Sequence, residues 1–101
     1  MKFIHEENKI FVNNDKGEVI VLATFPFVSE KVINIDHTFV DPSLRGQGVA
    51  SLLMHEVYNH AKEKGYTVVN SCPYAIAWFK KHPDKSDVLN LDIEVKEACK
   101  L

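Results

Sequence analysis

The chain has 101 residues, 46% of them apolar and 26% charged. That length sets one domain over residues 1–101 as the expectation, and the balance is that of a folded chain and not a disordered one. A formal charge of -2 with dispersed Lys and Arg excludes the basic footprint of a nucleic-acid binder, Lys80-Lys81 being a short local exception.

At the amino terminus, Met1-Lys2-Phe3-Ile4-His5-Glu6-Glu7 turns acidic before a signal-peptide core can form, and no apolar run is long enough to span a bilayer. The expectation is a cytoplasmic protein without a membrane partner. Ile10 to Val12 and Val19 to Phe25 are β-rich runs, and Asn13-Asn14-Asp15-Lys16-Gly17 between them reads as a hairpin turn. Val19 to Ala23 is apolar on both faces, which predicts a central strand, and Pro26 ends or bends it. Lys31 to Val40 alternates as one strand. Ile33, Ile35, His37 and Phe39 fall on one face, and Val32, Asn34, Asp36, Thr38 and Val40 on the other.

A helix from about Gln47 to Lys64 is the strongest periodic element. Val49, Ala50, Leu53, Met54, Val57, Tyr58 and Ala61 recur at helical spacing, with His55 and His60 read as solvated. Gly65 is placed to terminate it, with Lys62 and Lys64 in the last turn. Tyr66 to Asn70 predicts another strand. Cys72-Pro73 then predicts a helix from Pro73 to about Lys81 with Cys72 at its N-cap, stopped by Pro83. Trp78 and Phe79 read as core. Residues 88–101 read equally as strand, through the alternation of Leu89, Leu91, Ile93 and Val95, or as helix. The order is a mixed α/β pattern whose strand–helix–strand unit predicts parallel strands. Cys72 and Cys99 are expected as free thiols, and no paired Cys/His spacing supports a metal site.

The chemistry concentrates in Val40-Asp41-Pro42-Ser43-Leu44-Arg45-Gly46-Gln47-Gly48-Val49-Ala50. A helix entered through a glycine turn offers unpaired N–H groups and the positive end of its dipole, a site for a phosphate or pyrophosphate. The turn fails the dinucleotide-binding fingerprint, because Ser51 stands at the third glycine position, and it lacks the Gly-Lys-Ser/Thr of a P-loop. Arg45 is placed to contact an anion or to fix the turn.

The stretch Val40 to Leu53 resembles the acetyl-coenzyme A motif of the GNAT superfamily of N-acetyltransferases, Gln/Arg-x-x-Gly-x-Gly/Ala after a strand end and a proline. His37-Thr38-Phe39-Val40, Cys72-Pro73-Tyr74 and Lys81-His82-Pro83 extend the likeness to a minimal single-domain branch of that superfamily. The resemblance implies an α/β (α+β) domain, with a curved, mixed, mostly antiparallel sheet flanked by helices. Its V-shaped split would lie between the parallel strands Lys31–Val40 and Tyr66–Asn70. It further implies coenzyme A or acetyl-CoA as cofactor. The amides of Gly46, Gln47, Gly48, Val49 and Ala50, helped by Arg45, would hold the pyrophosphate, and the strand end at Val40 would pair with the pantetheine arm. The implied reaction is acetyl transfer to an amine substrate. Two departures stand out: Phe79 occupies the position of the tyrosine that protonates the departing thiolate in many relatives, and the chain is short after that helix.

Cys72 is the first candidate for chemistry, because a helix amino terminus favours the thiolate, which could accept an acetyl group and pass it on. His37 is the second, as a base for an ammonium substrate. Tyr74 is a substitute acid. The rival readings are a coenzyme A-binding module without catalysis and a bare interaction domain. The acetyl acceptor and the oligomeric state are not specified by the sequence.

Overall fold

Residues 2–90 are described by a computed structural model of the chain. The first hairpin forms where the turn residues require it. The Asn14 side-chain carbonyl accepts from the backbone N–H groups of Lys16 and Glu18, and Gly17 takes a left-handed φ of 80°. This turn joins β2 (Lys9–Asn13) to β3 (Val19–Thr24). Ahead of them lies β1 (Ile4–Glu6), a three-residue strand that the sequence reading passes over because only Ile4 is apolar. After Pro26 come the short β4 (Phe27–Ser29), β5 (Val32–Ile35) and β6 (His37–Val40). A 3-10 turn over Pro42–Leu44 leads to α1 (Val49–Lys64), then β7 (Thr67–Asn70) and α2 (Pro73–Lys81).

Two sheets result. The first, in order β1-β2-β3-β6, is antiparallel throughout. The second, β4-β5-β7, pairs β5 with β7 in parallel, Val32 opposite Thr67 through Ile35 opposite Asn70.

The single strand expected over Lys31–Val40 is therefore two. The break falls at Asp36, whose N–H donates to the Thr24 carbonyl while its carboxylate accepts the Thr24 hydroxyl at 2.6 Å. These two bonds draw the chain to β3, while the Ile35 carbonyl just before stays with the other sheet, accepting from the N–H groups of Ser71 (3.1 Å) and Cys72 (3.0 Å). The split opens because the chain changes sheets at one residue. The alternation in the sequence runs through Asp36 and gives no sign of this.

The helix boundaries follow the predicted signals with one correction. Gln47 lies in the turn, not in the helix, and Gly48 has φ 76°, outside right-handed helical space, so α1 starts at Val49. Gly65 ends it in the left-handed conformation. Val49, Leu53, Met54, Val57 and Ala61 pack on Ile10, Val21, Ala23, Phe25, Ile33, Ile35 and Val68. From α2, Ala75, Trp78 and Phe79 join this core, and the Trp78 indole donates to the Ser51 hydroxyl at 3.0 Å, tying the helices together.

The two helix histidines read as solvated are not. His60 is buried, and His55 is half-buried with its ring edge-on to Trp78 and His82. After α2 a 3-10 turn spans Pro83–Val88, and Leu89 bridges to Val68 in parallel. The alternative strand or helix beyond this point, and Cys99, lie outside the described residues. No helix among the described residues is long and apolar enough to cross a membrane.

Candidate functional site

The glycine turn is built from the strand end upward. At the end of β6, the Val40 carbonyl accepts from the Arg45 Nε at 3.1 Å. Arg45 thus fixes the turn. Asp41 accepts from the Ser43 N–H and hydroxyl, and these bonds hold its carboxyl below the ordinary range. Gln47 reaches back to the Ser43 carbonyl. The chain then passes through two left-handed residues, Gly46 (φ 82°) and Gly48 (φ 76°), before the helix begins.

A Cβ at either glycine would meet no atom within 4 Å. These glycines are demanded by backbone conformation, and the space before them is open. No side chain caps α1 at Gly48, so the first-turn N–H groups keep their bonding capacity. Arg45, Gly46, Gln47 and Gly48 are exposed, Ala50 is half-buried, and Val49 anchors the turn in the core.

Beside this turn lies the split. β6 is the last strand of its sheet, so one of its edges is unpaired among the described residues. Across from it stands the corner between β7 and α2. Cys72 is the N-cap of α2, as the sequence predicts. It is a free thiol and 7% exposed, and its Sγ lies 3.5 Å from the Thr38 hydroxyl on β6. A double contact holds the corner. The Asn34 side chain accepts from the Ser71 N–H and donates to the Ser71 hydroxyl, both at 3.0 Å, and Ser71 is buried.

The structure separates the two predicted chemical residues. Thr38 and Val40 pair with Ala23 and Val21, which are fully buried, so both face the helices. His37 and Phe39 pair with Thr24 and Leu22 and face the other way. His37 is exposed and does not share the buried face of Ile33 and Ile35, as an unbroken strand would have required. Cys72 and His37 are not brought together.

The residue that meets Cys72 is Thr38, and Asn34 and Ser71 hold it in place. The sequence gives none of the three a chemical role. The visible signal was Thr38 sharing a face with Val40 just before the turn. Tyr74, on the first turn of α2, is 40% exposed, and partial burial pushes its hydroxyl above the ordinary range. Phe79 is buried in the core. Among the described residues no three His, Cys, Asp or Glu side chains are grouped to hold a metal.

A family model described as GCN5-related N-acetyl-transferase matches residues 9–88. The chain belongs to this family. Among solved structures, this GCN5-related chain is similar to a GCN5-like protein from Staphylococcus aureus. The two are 34% identical with a TM-score of 0.73, over 88% of this chain and 87% of that one. An acetyltransferase from Bacillus cereus is 32% identical with a TM-score of 0.60, over 76% and 56% of the two chains. A GNAT family N-acetyltransferase from Escherichia coli, solved in complex with CoA, is 27% identical with a TM-score of 0.57, over 68% and 42%. The chain thus spans about half the length of the latter two relatives. No curated protein matches it. The expected GNAT fold, with its mixed sheets and parallel split, is the fold observed.

Proposed function

We propose that this protein binds acetyl-CoA and transfers its acetyl group to an amine. The observation that carries the reading is an uncapped helix entered through two left-handed glycines with open space before them, beside the unpaired edge of β6. The N–H groups from Gly46 to Ala50 would hold the pyrophosphate. The free edge of β6 up to Val40 would take the pantetheine arm as an added strand. Arg45, bonded to Val40, keeps that strand end and the turn in register.

Cys72 is proposed as the reacting group. Its thiol lies at the corner facing β6, 3.5 Å from the Thr38 hydroxyl. Phe79 has no proton to give a departing thiolate, and a covalent route does not call on one from that position. Thioester exchange needs no separate acid. The Cys72 sulfur bonds to the acetyl carbon, the carbon–sulfur bond to CoA breaks, and the thiol proton passes to the CoA sulfur. An amine then attacks acetyl-Cys72, the second carbon–sulfur bond breaks, and the amine proton returns to the Cys72 sulfur. His37, on the far face of β6, takes no part in this scheme.

One observation favours a second reading, a CoA-binding module without turnover: the buried Phe79 leaves the helix α2 without the expected acid. Intact-protein mass spectrometry after incubation with acetyl-CoA separates the two, on wild type and Cys72→Ser. An acetyl adduct that is absent from the variant and chased off by amines is the expected result. A noncovalent CoA complex with no adduct removes the covalent route and leaves direct transfer or the binding module, which release of free CoA on adding amines tells apart. No complex of either kind overturns both.

A further inference from the structure

A histidine pair on the opposite side of the molecule joins β1 to α1. His5 Nδ1 lies 3.2 Å from His60 Nδ1, and His5 Nε2 lies 3.0 Å from Glu56 Oε1. His60 is 4% exposed and its Nε2 has no hydrogen-bond partner among the described residues. The rings of Phe25 (5.4 Å) and Tyr66 (6.2 Å) close around it.

These contacts fix where the protons sit. A carboxylate only accepts, so His5 Nε2 carries a hydrogen. In neutral His5 the other nitrogen is then an acceptor, so the hydrogen between the rings belongs to His60 Nδ1, and His60 Nε2 is a bare lone pair. One added proton fits without breaking any contact. It enters at His60 Nε2, and the shared hydrogen moves to His5 Nδ1, placing the charge on His5 against Glu56. A second added proton does not fit, since both Nδ1 atoms would carry hydrogens directed at each other across 3.2 Å.

We propose that the His5–His60–Glu56 chain is a pH-operated clasp: it holds the edge strand β1 on helix α1 with one proton or none added, and lets go when both rings are charged. Besides this pair β1 is held by an exposed Glu6–Lys9 ion pair and by Phe3, just before it, which packs on the core. All three of its residues are exposed, and its ladder to β2 is three residue pairs long.

The surroundings fit a clasp that resists a second proton. Glu6 and Glu7 on the β1 side, and Glu56 and Glu63 on α1, favour positive charge at the pair. Lys64 opposes it, and Tyr66 closes the other side of the cavity. The proton reaches the pair from solvent through a cavity of about 550 Å3 that His5 and His60 line together. Burial first, and the neighbouring His5 second, push His60 below its ordinary value, against Glu63 and the Glu7 backbone carbonyl, which favour the charged ring.

Amide hydrogen exchange from pH 8 to pH 4.5, expressed as protection relative to the unstructured chain, tests this. Protection of Ile4 to Glu6 should hold until the second protonation and then fall about tenfold per pH unit, the slope of one coupled proton. Protection in β3 and α1 should stay level over the same interval. In His5→Ala, altered at a half-exposed ring, protection of β1 should be low at every pH and no longer step. Nitrogen-15 spectra of the imidazoles provide a measurement that needs no variant, and should show His60 protonated at Nδ1 at high pH. Two rings titrating independently, or an unchanged β1 profile in His5→Ala, would overturn the clasp.

Discussion

At the scale of single residues, the four left-handed glycines of this chain are equivalent in space and different in purpose. At Gly48 and Gly65 a Cβ would touch nothing, so replacement by alanine costs only the backbone strain of φ near 75°. That strain is about 1–2 kcal/mol at each site. Urea denaturation of Gly48→Ala and Gly65→Ala should therefore give similar losses. Calorimetric titration with CoA should separate them, with binding weakened in Gly48→Ala and retained in Gly65→Ala. Equal loss of binding in both would detach the turn from the cofactor. Asn34 is a second such position. It satisfies buried Ser71 twice, and Asn34→Ala leaves the Ser71 hydroxyl without its donor while the Ser71 N–H keeps the Ile35 carbonyl. The expected loss of stability is about 1–3 kcal/mol. A faster rate of Cys72 alkylation in this variant would show that the clasped corner governs access to the thiol.

At the scale of elements, α1 contributes more residues to the core than any other element and is the element most legible in the sequence. Its 3.6-residue period, its closing Gly65 and its opening glycine turn are local features, and each is physically sufficient where it stands. Leu53→Ala, at a fully buried position of that stripe, should cost about 2–5 kcal/mol in a denaturation experiment. The start of α2 was legible for the same reason, since Pro73 at the first helical position is a local signal. What was not legible is non-local. The change of sheet at Asp36 depends on Thr24, twelve residues earlier, and on a corner at Ser71 that the alternation of Lys31–Val40 does not encode. His60 falls on the same stripe as Leu53 and Val57, and its polarity hid a burial that its position announced. Strands β1 and β4 are three residues each, too short for a period to register. The glycine turn proposed to hold the pyrophosphate is one local element and is legible in the sequence. The half proposed to react is assembled from β6, β7 and α2 and is not, which is why His37 was placed beside a cleft it turns away from.

At the scale of the whole molecule, acid weakens the fold through its histidines. His60 and His55 are both held below their ordinary value, by burial first in each case. The unfolded chain takes up their protons at higher pH than the folded one. Their contribution is therefore present above the unfolded value of about 6.5 and lost as the pH falls through the folded values. Thermal melting at pH 7.5 and pH 5 should give the lower Tm at pH 5, and the drop should shrink in His60→Gln if that variant folds, or in His55→Gln if it does not. A different consequence follows from the parallel pairing of β5 with β7. Each of its residue pairs joins positions about 35 apart in the chain. The β2–β3 hairpin, by contrast, closes over a five-residue turn. Closing a long loop costs entropy before any contact repays it, so the hairpin and α1 can form early while β5 waits for β7. In a kinetic experiment, Val69→Ala should leave the refolding rate nearly unchanged and speed unfolding, whereas Val21→Ala should slow refolding. The corner that presents Cys72 hangs on the Ile35 carbonyl at the end of that same pairing. The thiol then takes its place only when β5 and β7 have paired, so a chain folded only as far as the hairpin and α1 would leave Cys72 without the corner that positions it.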